Sequence, residues 1–587
     1  MQPIQPITKL ISRLWQHIGS HRRGQFWLLL ILMILASFTE ILSIGAVLPF
    51  LGALTAPNRI FEHPAAQPLI QALELTSADQ LLFPLTITFG LAALMAGGLR
   101  VALLWSSIRL SFAVGADLSN GIYRRTLYQP YAVHIARNSS EVINGISTKV
   151  GEVIFYILMP AVNLISASVM LIAILLALLS IIPVIALAAF SGFGLVYAFI
   201  IRLARNRLKI DSQHIAREST NVIKSLQEGL GGIRDVLIDG SQEVFCTNYR
   251  NADQTLRRAQ GNNQFVSYSP RYGMEALAML LIATLAYVFS KQPDGLTMAI
   301  PMLAAMALGM QRLLPTLQQA YGAWSTIHGA QASLQDALVL LDQPLPDYVA
   351  LPVSKPQPFL YQISLNQVSF RYSPKAPWVL KQCDLSIAKG SRVGFIGTTG
   401  SGKSTLLDII MGLLQPTEGS IKIDGEAITA ENHRAWQTHI AHVPQAIFLA
   451  DTSVEENIAF GEPKNQIDHE RVRQAARQAQ IAEIVETWPL QYQTYVGERG
   501  VQLSGGQRQR IGIARALYKR ADVIIFDEST SALDNETELA VMQAIEALSD
   551  DLTVLIIAHR LSTLKNCTQI IEIANGSIQK RNNLTDE

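Results

Sequence analysis

The sequence predicts two joined fold classes: a polytopic α-helical membrane domain with six crossing helices, and behind it an α/β domain of the P-loop type. Three observations carry this reading. Long apolar runs with almost no charge fill the first 331 residues. A glycine-rich loop at residues 397–404 sits between an apolar strand and a helix. The 587 residues are 49% hydrophobic with mean hydropathy +0.24, too apolar for an ordinary soluble protein of that length.

The apolar runs come in order. Residues 26–55 carry one charge, Glu40, and residues 81–107 carry one, Arg100. Residues 153–201 carry none. A helix crosses a bilayer with about 20 residues, so this run divides near residues 180–183 into two spans. Residues 272–290 hold only Glu275, and residues 295–331 only Arg312 and His328. The first run is too long and comes too late for a secretory signal, and no small-residue cleavage site follows a short core.

Charge sets the orientation. Lys9, Arg13, Arg22 and Arg23 precede the first span. Arg109, Arg124, Arg125, Arg137 and Lys149 lie between spans two and three, and ten Lys or Arg residues from Arg202 to Arg258 lie between spans four and five. The opposite loops show only Arg59 and Lys291. This asymmetry puts both termini in the cytoplasm of a multi-pass inner (plasma) membrane protein. The two basic loops are polar, helix-compatible and too long for turns. Residues 341–361 contain five prolines and read as a boundary. The division is therefore 1–340 membrane domain, 341–360 linker and 361–587 α/β domain. Net charge is +1, so nucleic-acid binding gains no support, and Cys246, Cys383 and Cys567 are too widely spaced for a zinc or redox motif.

In the α/β domain, Gly397-Thr398-Thr399-Gly400-Ser401-Gly402-Lys403-Ser404, followed by Thr405, fits G-x-x-x-x-G-K-[ST]. Residues 393–396 read as the strand before it and residues 404–413 as the helix after it. Glycines let successive N–H groups turn toward phosphate, and the helix N-terminus adds a positive dipole end. Lys403 can reach the outer phosphates and Ser404 can ligate Mg²⁺. Downstream, residues 523–528 end an apolar strand in Asp527 and Glu528, suited to hold Mg²⁺ through water and to act as general base.

The ordered set Leu503-Ser504-Gly505-Gly506-Gln507, Asp527-Glu528, Ser531-Ala532-Leu533-Asp534 and Ala558-His559-Arg560 resembles the nucleotide-binding domain of ABC transporters, over residues 360–578. The resemblance implies ATP and Mg²⁺ as cofactors and an ABC exporter fold. It implies that His559 contacts the γ-phosphate, that Gln445 senses Mg²⁺ and γ-phosphate, and that Tyr372 stacks on adenine. It also implies that the Ser504–Gln507 segment meets ATP held by the other subunit, with Asp534 at the same junction. One six-span unit with one such domain is then a half-transporter, and its intact motifs imply a homodimer that hydrolyses ATP. In such exporters short coupling helices end the long cytoplasmic loops, and residues 131–141 and 230–241 fit those places. Plain membrane-surface anchoring of the basic loops is the alternative.

Arg100, Arg271 and Arg312 fall in or at membrane spans, where charge is costly and often functional. They suit an anionic head group; alternatively they pair with Glu40 or Glu275, snorkel, or lie in the cytoplasmic helix ends. Residues 36–40 and 45–51, with Ser269-Pro270-Arg271-Tyr272 and Arg312-Leu313-Leu314-Pro315, resemble the PglK-type flippases of lipid-linked oligosaccharides. That resemblance implies movement of a polyprenyl-pyrophosphate-linked glycan from the cytoplasmic to the outer leaflet, and a short external helix at residues 66–74. An ABC exporter of another lipid, glycolipid, peptide or drug shares every ATPase motif. The chain reaches its first span by about residue 26, which leaves no room for the peptidase domain of cargo-processing peptide exporters. Soluble ABC-type regulators of ribosomes or chromosomes are excluded by the six apolar runs.

Overall fold

In the computed structural model the chain forms two compact units, Met1–Gln129 with Arg137–Pro344, and Pro130–Ala136 with Leu345–Glu587. The structure describes residues 5–55, 61–62, 67–72, 77–181, 183–290, 295–349, 358–527, 535–546, 551–557, 564 and 567–581.

The first unit is helical. α1 (Ile7–His17) is amphipathic and buries Leu10 and Leu14. α2 (Ser20–Thr55), α3 (Gln67–Ala72) and α4 (Leu82–Leu127) follow. α3 lies inside the stretch expected to form the external helix. The first basic loop forms two short helices rather than one segment, α5 (Tyr131–Ile135) and α6 (Ser139–Asn144). Asn138 separates them because its side chain accepts the Ser140 N–H at 2.9 Å and caps α6. The chain then runs through two π-helical segments, Gly145–Lys149 and Ile154–Leu158, into α7 (Met159–Ile181). α8 (Pro183–Gly231) begins at the proline that divides the uncharged run, since a proline suits the first helical turn. α9 (Ile233–Ile238), α10 (Gln242–Tyr268), α11 (Pro270–Ser290), α12 (Gly295–Gly329) and α13 (Gln331–Leu341) complete the unit.

By length and composition, three helical stretches among the described residues can cross a membrane: Ser20–Leu42, Leu82–Leu127 and Ser139–Ala177. The other three apolar runs lie on α8, α11 and α12. α4 has 46 residues and α8 has 49. At 1.5 Å per residue each is roughly 70 Å long, more than twice a hydrocarbon core of about 30 Å. Their polar ends therefore continue beyond the bilayer.

Two cores hold the helices. Leu10, Leu14, Leu118, Ile122, Leu334 and Leu338 join α1, α4 and α13. Ile174, Phe193, Met274, Leu313 and Tyr321 join α7, α8, α11 and α12. α13 ends at Leu341, the first residue of the expected proline-rich linker. Its Leu338 and Leu341 are buried, so this stretch belongs to the helical core.

The second unit has two sheets. β1 (Gln362–Phe370), β2 (Leu380–Ala388), β4 (Glu418–Ile423) and β5 (Glu426–Ala427) make an antiparallel sheet of order β2-β1-β4-β5. β3 (Arg392–Ile396), β6 (Ile440–Val443), β7 (Val523–Asp527), β8 (Thr553–Ile557), β9 (Gln569–Ala574) and β10 (Ser577–Arg581) make the other, of order β10-β9-β3-β8-β7-β6. All its neighbours are parallel except the edge strand β10. Every residue of β8 is buried. Covered on both faces, such strands read as unbroken apolar runs.

Candidate functional site

The phosphate loop leaves the carboxyl end of β3, inside the parallel sheet, where open α/β sheets place their ligands. Gly397 has φ +144° and Gly402 φ +106°. A Cβ at Gly397 would stand 2.3 Å from the Ile573 carbonyl oxygen, so only glycine fits that start. Thr398, Thr399, Gly400 and Ser401 complete the bend. α14 (Lys403–Ile410) follows, with Gly402 as its N-cap and no side chain capping it. This helix begins one residue earlier and ends three earlier than expected, because Gly412 turns the chain out at φ +67°.

Lys403 is buried, and its Nζ donates to the carbonyls of Gly397 (2.7 Å) and Thr398 (3.0 Å). Two of the ammonium's three donors are thus fixed on the loop. Ser401 is also buried, and its Oγ has no hydrogen-bond partner among the described residues. Ser404 is exposed in the first helical turn. Thr405 is buried, with its Oγ1 3.0 Å from the hydroxyl of Tyr372. Tyr372 is half exposed and packs edge-on against Phe370.

Asp527 ends β7. Phe395 and Asp527 both register with Ile557 of β8, so they share one row across the sheet, two strands apart. Asp408, on α14, has its carboxyl pushed up to about 6, first by burial and then by the charge of Asp527. Asp408 and Asp527 thus make an acidic edge beside the phosphate-loop helix. No cluster of three or more metal-ligating side chains occurs among the described residues. That suits Mg²⁺, which is held through one or two protein groups plus phosphates rather than a protein cage. The unpartnered Ser401 hydroxyl, the uncapped helix and the Lys403 ammonium fit a nucleotide triphosphate in the same way.

Gln445 lies exposed in the turn after β6, the strand next to β7. Ser504 N-caps α15 (Gly505–Lys519). Its Oγ accepts the Gln507 N–H at 3.2 Å, while Gln507 Oε1 accepts the Ser504 N–H at 2.8 Å. This is a capping box, legible as S-x-x-Q but not recognised from the sequence. Arg508 fixes the preceding turn, donating to Leu503 O at 2.7 Å and Gly500 O at 3.3 Å. Gly505 and Gly506 open the helix. Glu528, Asp534 and His559 lie outside the described residues. Two further residues were missed by motif reading. Asp408 joins the acidic edge, and Tyr131 of α5 has its hydroxyl shifted upward by burial, then by Asp408 and Tyr372. α5 belongs to the same compact unit as the phosphate loop. The family resemblance anticipates this placement, since it implies a coupling helix at residues 131–141 that touches the ATPase; the particular neighbours Asp408 and Tyr372, more than 240 residues away, were not legible.

The membrane arginines do not form one cluster. Arg100 is ion-paired with buried Glu40. Arg271 Nε donates to Glu275 Oε1 at 2.7 Å. Arg312 lies on α12. Arg271 and Glu275 line a cavity of about 540 Å³ among α7, α8, α10, α11 and α12, whose walls also carry Asn163, Gln264 and Gln318. Arg100 is not in its wall.

A family model described as ABC transporter matches residues 380–531. A protein of Alkalilimnicola ehrlichii named ATP-dependent lipid A-core flippase is 33% identical over 395 residues, covering 66% of this chain and 65% of that protein, just under two thirds of its length. One of the same name from Cupriavidus pinatubonensis is 30% identical over 469 residues, covering 78% and 77%. A solved bacterial Atm1-family ABC exporter with ATP bound superposes with TM-score 0.76 over 95% of this chain and 94% of that one, at 23% identity.

Proposed function

We propose, because this chain belongs to the ABC transporter family, that it is an ATP-driven exporter whose cargo is a lipid with a phosphorylated glycan head. The preferred cargo is a polyprenyl-pyrophosphate-linked oligosaccharide, moved from the cytoplasmic to the outer leaflet of the inner membrane. The carrying observation is the cavity of about 540 Å³ in the helical unit, with Arg271 and the amides Asn163, Gln264 and Gln318 on its wall. An anionic head group can take the Arg271 guanidinium from exposed Glu275, since exposed ion pairs are weak and phosphate binds the guanidinium fork bidentately. A second reading, lipid A-core as cargo, is favoured by the names of the two bacterial relatives.

In the ATPase unit the residues have separate tasks. The Gly397–Gly402 backbone and Lys403 bind the phosphates, and Tyr372 stacks on adenine. Ser404, Asp527 and Gln445 hold Mg²⁺, which neutralises phosphate charge when bound. Glu528 accepts a proton from the attacking water, with His559 orienting it. Ser504 and Asp534 act on nucleotide held by the partner, so the working state is a homodimer with its ATPase domains and termini in the cytoplasm. Reconstitution in liposomes with lipid-linked oligosaccharide tests the reading. ATP-dependent movement between leaflets is expected; movement of lipid A-core alone transfers the assignment to the second cargo, and movement of neither overturns both.

A further inference from the structure

The cavity wall is not uniform in chemistry. Asn263 and Glu152 line it, and Asn263 Oδ1 and Glu152 Oε2 are buried with no hydrogen-bond partner among the described residues. Ser333 also lines it, with a buried Oγ close enough to Glu152 to interact with its carboxylate. The Asn263 amide is held in one orientation, because its Nδ2 donates to the Gly329 carbonyl at 3.2 Å. A Cβ at Gly329 would stand 2.6 Å from that Nδ2 and displace the amide. The free oxygen is therefore an acceptor by construction. Leaving buried acceptors unmatched is costly, so their persistence in a cavity wall points to a ligand that brings donors.

The two ends of the cavity differ. Arg271 follows Asn263 by eight residues through α10 and α11, roughly 12 Å along a helix at 1.5 Å per residue. Met274 and Leu314 belong to the apolar runs and Arg271 adjoins the start of one, whereas Asn263 and Ser333 lie beyond them on the cytoplasmic side. A phosphate offers acceptors only and is repelled by Glu152, so it does not suit the cytoplasmic end. Sugar hydroxyls donate to carboxylate and amide oxygens.

We propose that Glu152, Asn263 and Ser333 form a carbohydrate subsite that reads hydroxyl donors of the cargo's glycan, while Arg271 takes its phosphate at membrane level. This deepens the lipid-linked oligosaccharide reading and rests on it. The arrangement matches a lipid lying in the cytoplasmic leaflet, with its tail in the bilayer and its glycan toward the cytoplasm.

The test compares binding of two probes to the full-length protein in nanodiscs: polyprenyl pyrophosphate carrying an oligosaccharide, and bare polyprenyl pyrophosphate. The parent is expected to prefer the glycosylated probe by about tenfold, the yield of two net hydrogen bonds near 0.7 kcal/mol each. Asn263→Leu and, separately, Glu152→Met should reduce that ratio severalfold, with Glu152→Gln retaining most of it because an acceptor oxygen remains. Glu152→Met nearly keeps the side-chain length, so a folding defect in Asn263→Leu does not decide the matter. A parent that binds the bare lipid but shows no glycan preference, or variants that keep the full ratio, overturn the subsite and leave the flippase reading standing. A parent that binds neither probe overturns both.

Discussion

Lys403 and Glu528 divide the labour of the nucleotide site, and their variants should fail differently. Lys403 already spends two donors on Gly397 and Thr398. Lys403→Ala removes the phosphate-facing charge and frees those carbonyls, so nucleotide affinity should fall, as read by equilibrium binding of a fluorescent ATP analogue. Glu528→Gln should keep that affinity and lower turnover by ~10²-fold or more, the scale of general-base contributions. Hydrolysis near the parent rate in Glu528→Gln would remove Glu528 from the base role. Motif spacing made the phosphate loop, Lys403 and Asp527 legible, because each task demands one residue type at one offset. Asp408 was not legible. Its proximity to Asp527 arises from the pitch of α14 over the sheet, which no local pattern encodes. Arg100 and Arg271 were legible as costly charges, but their pairing with Glu40 and Glu275 was only one alternative among several.

Elements that follow simple periodicity were read closely, and those set by tertiary packing were not. The apolar runs became long helices, and the break in the uncharged run came where Pro183 starts α8. Residues 331–340 fall within the expected membrane domain and form α13, buried through Leu334 and Leu338; only Leu341 of that helix falls in the expected linker. The entry into the second unit is held by Asp424, whose side chain accepts the N–H groups of Leu360, Tyr361 and Gln362 at 2.6–2.8 Å. Partial burial opposes ionisation, but these three donors outweigh it and hold the carboxyl below its ordinary value. A carboxylate with a depressed folded pKa stabilises the fold above its unfolded pKa and loses that contribution as pH falls. Asp424→Asn should therefore lower the melting temperature at pH 7. The gap should close as pH drops below about 4. A pH-independent gap would assign the effect to shape rather than charge.

At the scale of the whole molecule, two predictions concern what one chain cannot do alone. Ser504 caps its own helix, so its hydroxyl has a structural task besides the proposed contact with the partner's nucleotide. Mixing inactive Lys403→Ala and Ser504→Ala subunits separates the two. In a heterodimer one composite site carries both defects and the other neither, so ATPase activity should return in part. Sites built within single subunits would leave the mixture inactive. The second prediction concerns the cargo. Arg271 is exposed on the cavity wall and already paired with Glu275 at one helical turn. If it receives a phosphorylated head group, Glu275 competes with that ligand. Arg271→Ala should then abolish ATP-dependent flipping of lipid-linked oligosaccharide in liposomes, and Arg271→Lys should restore it only in part, because Lys lacks the planar fork. Glu275→Gln should act in the opposite sense and tighten binding of the anionic lipid, because the guanidinium no longer has an internal partner. A general disturbance of α11 would weaken binding in all three variants. The opposite sign at Glu275 is therefore the decisive reading, and weaker lipid binding in Glu275→Gln would count against Arg271 as the phosphate contact.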